Sequence, residues 1–91
     1  MLLRQLEYII AVHKFKSFTK AADFCCVTQP TLSQQIKTLE DSLGLEIFNR
    51  GTIPVVPTPA GRIILEEASK VVEQAMHLKK IAKELVKEQQ V

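Results

Sequence analysis

No apolar run in this chain approaches the ~18 residues that a membrane-spanning helix requires, so no membrane partner is expected. The only cysteines, Cys25 and Cys26, are adjacent and have no partner elsewhere, which excludes a disulfide framework and a cysteine-based metal site. His13 and His77 stand alone, without the spacing of metal ligands. There is no glycine-rich phosphate loop and no paired nucleophile and base, so the expectation is a protein that is not an enzyme and needs no cofactor. Charge of one sign is scarce too. Twelve bases face ten acids over the chain, and up to Pro57 six bases oppose five acids, a net of +1. Many nucleic-acid-binding domains are far more basic, so any such reading must rest on arrangement. Glu7 comes too early for a signal peptide and no small-residue cleavage site is present, which reads as a cytoplasmic protein.

What is present is apolar periodicity in a short chain. Ninety-one residues with 46% hydrophobic content support one small core, and a core of this size favours oligomerisation. Leu3, Leu6, Ile9 and Ile10 recur at helical spacing and continue to Phe15, giving an amphipathic helix over residues 3–15. Ser17-Phe18-Thr19 interrupts it, and Thr19 is the expected N-cap of a short helix over Lys20–Cys25. Thr28 is placed to cap the next helix, with Pro30 tolerated in its first turn. Leu32, Ile36, Leu39 and Leu43 are spaced 4, 3 and 4 and form one buried stripe, stopped by Gly44. The opposite face carries Thr31, Ser33, Gln34, Lys37 and Thr38. Two short helices in tight succession, the second with a polar outer face, make a helix-turn-helix.

Leu45–Phe48 reads as a short strand, Asn49–Thr52 as a turn and Ile53–Pro57 as a return strand, confined to an edge by Pro54 and Pro57. A hairpin after a recognition helix is a wing. Thr58 and Pro59 then open a helix expected to run to Gln90 without glycine or proline after Gly61. Ile64, Ala68, Val71, Ala75, Leu78, Ala82 and Leu85 alternate at spacings of 4 and 3, an uninterrupted coiled-coil seam. Some 30 residues span about 45 Å, too long for a 60-residue globule to cover, so the seam is expected to pair with a second copy. Residues 1–57 are thus expected to be a winged helix-turn-helix, and residues 58–91 a linker and dimerisation helix. The fold class is mostly α.

These residues resemble the DNA-binding domain of LysR-type transcriptional regulators. The resemblance is carried by Ala21-Ala22, Val27 to Ser33, Gln35-Ile36, Leu39-Glu40, Leu43-Gly44, Phe48, Arg50, and Thr58 with Ala60-Gly61. Ala21-Ala22-Asp23 with Cys25, and Gln29 to Ser33, are most similar to the family's peroxide-responsive OxyR branch. The resemblance implies a regulator of about 300 residues with a C-terminal effector domain that carries the peroxide-sensing cysteines. It also implies antiparallel pairing of the long helices in a homodimer, and tetramers among full-length members. Two positions depart from the pattern. Pro57 stands where leucine is usual, and Ile53 where the wing often has a second base, so a stiffer and less cationic wing is expected.

On this reading Gln29, Ser33 and Gln34 face base edges of double-stranded DNA in the major groove, since glutamine pairs with adenine N6 and N7 and serine bonds either base or phosphate. Pro30 offers an apolar contact to a thymine methyl, and Thr28 and Thr31 lie beside it. Lys37 reaches phosphate or a base. Thr19 and Lys20 hold phosphate at a helix start, unless Thr19 is purely a cap. Arg50, expected at the wing tip, reaches phosphate or the minor groove. Cys25 takes a core position, where a free thiol behaves as a small hydrophobe. Two other readings stand beside this one: a helical or coiled-coil adaptor that binds protein, which the low charge favours, and a thiol redox sensor using Cys25-Cys26.

Overall fold

The computed structural model describes residues 1–89; the expected helix end at Gln90 and the domain end at Val91 lie outside them. In order come α1 (Leu3–Phe15), α2 (Phe18–Cys25), α3 (Gln29–Leu43), β1 (Phe48–Asn49), β2 (Val56–Pro57) and α4 (Pro59–Gln89). Leu6, Ile9 and Val12 of α1 meet Leu32, Ile36 and Leu39 of α3 and Leu65 of α4 in one core. Gln5 is buried with them, and its Nε2 donates to Gln35 Oε1 at 3.1 Å, joining α1 to α3 through a satisfied amide pair.

The helix ends follow local chemistry. Lys16 closes α1 and Cys26 closes α2 in the left-handed conformation, with φ of 55° and 59°. A side chain there costs on the order of 1 kcal/mol, and the chain reverses within a single residue in return. The N-cap of α2 is Ser17, whose Oγ accepts the Lys20 amide at 3.2 Å. That corrects the expected cap at Thr19, which stands inside the first turn. Phe18 moves the boundary: its ring packs edge-on to Phe48 with centroids 6.0 Å apart, drawing its backbone into the helix. Thr28 caps α3 as expected, accepting the Thr31 amide at 3.4 Å, and Gly44 ends it at φ 75°. Leu32, Ile36 and Leu39 are fully buried, while Leu43 is half-buried at the end of the stripe.

The wing is a smaller ladder than the expected strands over 45–48 and 53–57. Only Phe48 pairs with Pro57 and Asn49 with Val56, antiparallel. Pro54 and Pro57 have no N–H to donate, and the Ile47 and Phe48 amides are taken by the Glu40 carboxylate at 2.7 and 3.4 Å. The wing is held to the globule instead by Val55 N–H, which donates to the Lys16 carbonyl at 3.2 Å.

Thr58 caps α4 as expected. Its Oγ1 accepts the Gly61 amide at 2.9 Å and donates to the Glu46 carbonyl at 2.6 Å. Gly61, Leu65 and Ala68 are buried, so the first turns of α4 belong to the globule. Ala68, expected on the seam, keeps only 3% of its surface, so the globule of its own chain already covers that position. Beyond Val72 the helix projects, and the molecule measures 56 × 25 × 20 Å. No helix among the described residues is long and apolar enough to cross a membrane.

Gly61 lies so close to the residue leading into β1 that a Cβ would fall 1.9 Å from the Ile47 carbonyl oxygen. The obstacle is backbone and cannot rotate away. Gly61→Ala is therefore expected to destabilise the fold by ~2–3 kcal/mol in urea unfolding. A change below about 0.5 kcal/mol would show that helix and strand separate freely.

Candidate nucleic-acid interface

At the start of α3 the outward side chains are nearly all uncharged and polar. Gln29, Pro30, Thr31, Gln34, Lys37 and Thr38 are exposed and Ser33 is half-buried. Their spacing on the helix puts Gln29 and Ser33 one turn apart, and Gln34 and Thr38 one turn apart. Both pairs are bonded: Gln29 Nε2 donates to Ser33 Oγ at 2.8 Å, and Gln34 Nε2 lies 3.4 Å from Thr38 Oγ1. Thr38 in turn donates to the Gln34 carbonyl at 3.0 Å. Each glutamine thus has one donor engaged within the helix, leaving its oxygen and second donor for an external group. Thr28 Oγ1 and Thr31 Oγ1 meet at 2.9 Å, so the cap and its neighbour form a third local pair. Lys37 lies 3.2 Å from Asp41 across an exposed helical turn, an attraction too weak to hold it from a phosphate.

Thr19 and Lys20 stand exposed in the first turn of α2. Ser17 takes the Lys20 amide, so these two side chains, rather than free backbone donors, face outward there.

Arg50 departs from expectation. It follows β1 at the root of the wing, and its Nη2 donates to Glu40 Oε1 at 2.9 Å. Its guanidinium also lies 5.2 Å from the centre of the Phe18 ring. The carboxylate it meets is 3% exposed. A buried carboxylate requires a cation and donors, and Arg50 with the Ile47 and Phe48 amides supplies all of them. The outermost wing residue is Ile53, wholly exposed. Beneath it, the Gly51 amide donates to Asn49 Oδ1 at 3.0 Å, and Thr52 Oγ1 lies 3.3 Å from the Asn49 carbonyl. The tip is therefore apolar and internally bonded.

Glu40 entered the sequence pattern only beside Leu39, with no role of its own. Its signal was available: an acid directly after Leu39, on the side of α3 that the apolar stripe assigns to the core. The cysteines divide at the end of α2, with Cys25, its last residue, half-buried and Cys26, its left-handed cap, exposed. Burial pushes the Cys25 thiol up from its ordinary value, against the opposing pull of Arg4, and a raised thiol is a poorer nucleophile. Among the described residues no group of histidine, cysteine or acidic side chains is arranged to hold a metal ion.

Residues 3–62 match the family profile described as bacterial regulatory helix-turn-helix protein, lysR family. The chain belongs to the LysR family. It is 41% identical over 85 residues to the HTH-type transcriptional regulator BenM of Acinetobacter baylyi, covering 93% of this chain and 28% of that protein. It is 42% identical over 82 residues to the DNA-binding transcriptional dual regulator OxyR of Escherichia coli, covering 90% of this chain and 27% of that protein. The chain thus spans under a third of the length of these relatives. The fold superposes on the BenM domain in a crystal structure of its complex with benA site 1 DNA, with a TM-score of 0.91 and 41% identity. That match covers 94% of this chain and 97% of that one. BenM and OxyR are equally similar to this LysR-family chain, so the peroxide-responsive branch is not set apart by identity in this domain.

Removing the Glu40 carboxylate leaves two buried amides and a cation without their acceptor. Glu40→Ala is expected to cost ~2–4 kcal/mol in chemical denaturation, and Glu40→Gln less, since an amide oxygen still accepts. Equal losses for the two variants would show that packing, rather than acceptance, is the carboxylate's role.

Proposed function

We propose that this chain binds double-stranded DNA as the DNA-binding domain of a LysR-type transcriptional regulator, and that two copies read a pseudo-palindromic site. The observation that carries the reading is the exposed, uncharged polar start of α3 on a fold that superposes at a TM-score of 0.91 on a relative solved with DNA. α3 enters the major groove. Gln29, Ser33 and Gln34 meet base edges there, with Pro30 against a thymine methyl and Thr28 and Thr31 beside the backbone. Lys37, Lys20 and Thr19 contact phosphates, which set affinity and its salt dependence without reading sequence. Arg50 acts one step back, fixing the wing against Glu40 and Phe18.

Dimerisation is assigned to α4, whose Val71, Leu78 and Leu85 are 49%, 64% and 53% exposed, with Ala75 and Ala82 between them. A lone helix does not keep such a stripe in water without a partner. The relatives are transcriptional regulators, and their likeness supports a binding role for this chain in place of a catalytic one. Hydrogen peroxide-inducible genes activators stand among relatives of nearly equal identity, at 41–43%, and on that likeness the reading extends to a peroxide-responsive regulator in the cytoplasm, where the DNA lies.

Fluorescence anisotropy with duplex DNA selected from random sequences tests the reading. Binding should weaken steeply as salt rises; absence of binding at low salt would sink it and favour a protein-binding adaptor. Gln34→Ala should lose ~1–3 kcal/mol at the preferred site and less elsewhere. Equal loss on every sequence would remove Gln34 as a reader. Lys37→Ala should lower the slope of log affinity against log salt by about 1, while Arg50→Ala should weaken binding with the slope unchanged. A lowered slope for Arg50→Ala would restore Arg50 as a phosphate contact.

A further inference from the structure

The side-chain amide of Gln5 is buried, at 5% exposure, and both its ends are taken. Its Oε1 accepts the Leu2 amide at 3.0 Å, and its Nε2 donates to Gln35 Oε1 at 3.1 Å. The oxygen of Gln35 is therefore occupied from within the fold. Among the described residues nothing accepts from Gln35 Nε2, and no buried side-chain nitrogen or oxygen lacks a partner, so that nitrogen faces water.

We propose that Gln35 donates to a backbone phosphate of bound DNA, and that Gln5 is the positioning residue that turns its amide nitrogen outward. This rests on the DNA-binding reading above and adds a contact on the second strand.

The place of Gln35 on α3 supplies the strand. Ser33 and Gln35 lie on either side of Gln34, each about 100° around the helix from it. Down the Ser33 side follow Lys37 and Glu40, and Glu40 ties that side through Arg50 to the wing and to Phe18 of α2, next to Thr19 and Lys20. Down the Gln35 side run Thr28, Thr31 and Thr38, with no charge among them, and Gln5 ties that side to α1. A helix in the major groove has a phosphate backbone along each edge. The Ser33 edge brings cations to one backbone. The Gln35 edge has only neutral groups for the other.

Chemistry supplies the role. A phosphate oxygen accepts hydrogen bonds and donates none, and a glutamine can present it with either end of its amide. An outward oxygen would repel it. The bond from Gln5 removes that alternative. The fold alone does not call for the pair, because two apolar side chains of the same shape would stabilise the α1–α3 contact about as well. What the two amides add is direction. The donor is uncharged and releases no counterion, so it holds the second strand without steepening the salt dependence. That suits a module whose net charge is +1 up to Pro57.

The test scans duplexes carrying one uncharged methylphosphonate at each position of each strand, by fluorescence anisotropy. At one position the unaltered chain should lose about tenfold in affinity and Gln35→Ala should lose nothing further, because its contact is already gone. If Gln35→Ala loses as much as the unaltered chain at every position, Gln35 touches no phosphate, and the proposal fails with DNA binding left standing. An unaltered chain that binds no duplex overturns both. Gln35→Glu separates contact from fold. Its carboxylate still accepts from Gln5, so it should melt as the unaltered chain does by circular dichroism. It should bind every sequence about tenfold more weakly, and the loss should persist at high salt, where general repulsion is screened. Binding equal to the unaltered chain's would overturn the contact. Gln5→Glu tests the positioning. A carboxylate has no hydrogen to give, so Gln35 turns its nitrogen inward and its oxygen out. Binding should weaken about tenfold when Gln35 is present and not at all in Gln35→Ala. Equal weakening in both would overturn the part given to Gln5.

Discussion

The rest of the molecule depends on a carboxylate that is almost wholly buried. Glu40 sits on the inner face of α3, and from there it accepts the amides of Ile47 and Phe48 and the guanidinium of Arg50. Those three donors come from the segment that leaves α3 and enters the wing. The helix and the hairpin, which share little apolar surface, are thereby joined by charge-assisted bonds in a low-dielectric site, where such bonds are short and directional. Phe18 completes the arrangement, lying against both Phe48 and Arg50 and so bringing α2 to the same point. One side chain orients three of the elements that meet DNA in the proposed function.

The sequence made the regular parts legible because they repeat. The stripe Leu32, Ile36, Leu39 and Leu43, the Thr28 and Thr58 caps and the Gly44 stop each express a local rule, and each stands where the pattern put it. The departures all come from contacts between residues distant in the chain. Ser17 rather than Thr19 caps α2 because Phe18 is pulled into the core by Phe48, 30 residues on. The strands are short because Glu40 takes amides that a ladder would have used. Arg50 lends its Nη2 to the same carboxylate while its side chain stays 40% exposed. An arginine near a turn looks the same on paper whether its partner is a phosphate or a buried acid, and only the fold supplies Glu40. Ala68 had the spacing of a seam residue, and its burial depends on how α1 and α3 lie across α4.

The reading face has a corresponding economy. Its side chains are bonded along α3 before any ligand arrives, Gln29 to Ser33 and Gln34 to Thr38. Ordering a glutamine on binding costs about 1–2 kcal/mol of rotamer freedom, and part of that ordering is already present. In the proposed function this suits a domain with little net charge, whose selectivity would rest on shape and hydrogen bonding more than on a general attraction to phosphate.

The contact of Gly61 with Ile47 bears on the spacing of paired sites. A missing side chain lets α4 lie directly on the segment that leads into the wing, and Thr58 bolts the two together by accepting from one and donating to the other. These contacts tie the wing to the first turn of the long helix. In a pair of such chains, a change in spacing between half-sites would then fall on the pairing of the two helices or on bending of the DNA, rather than on the junction of wing and helix.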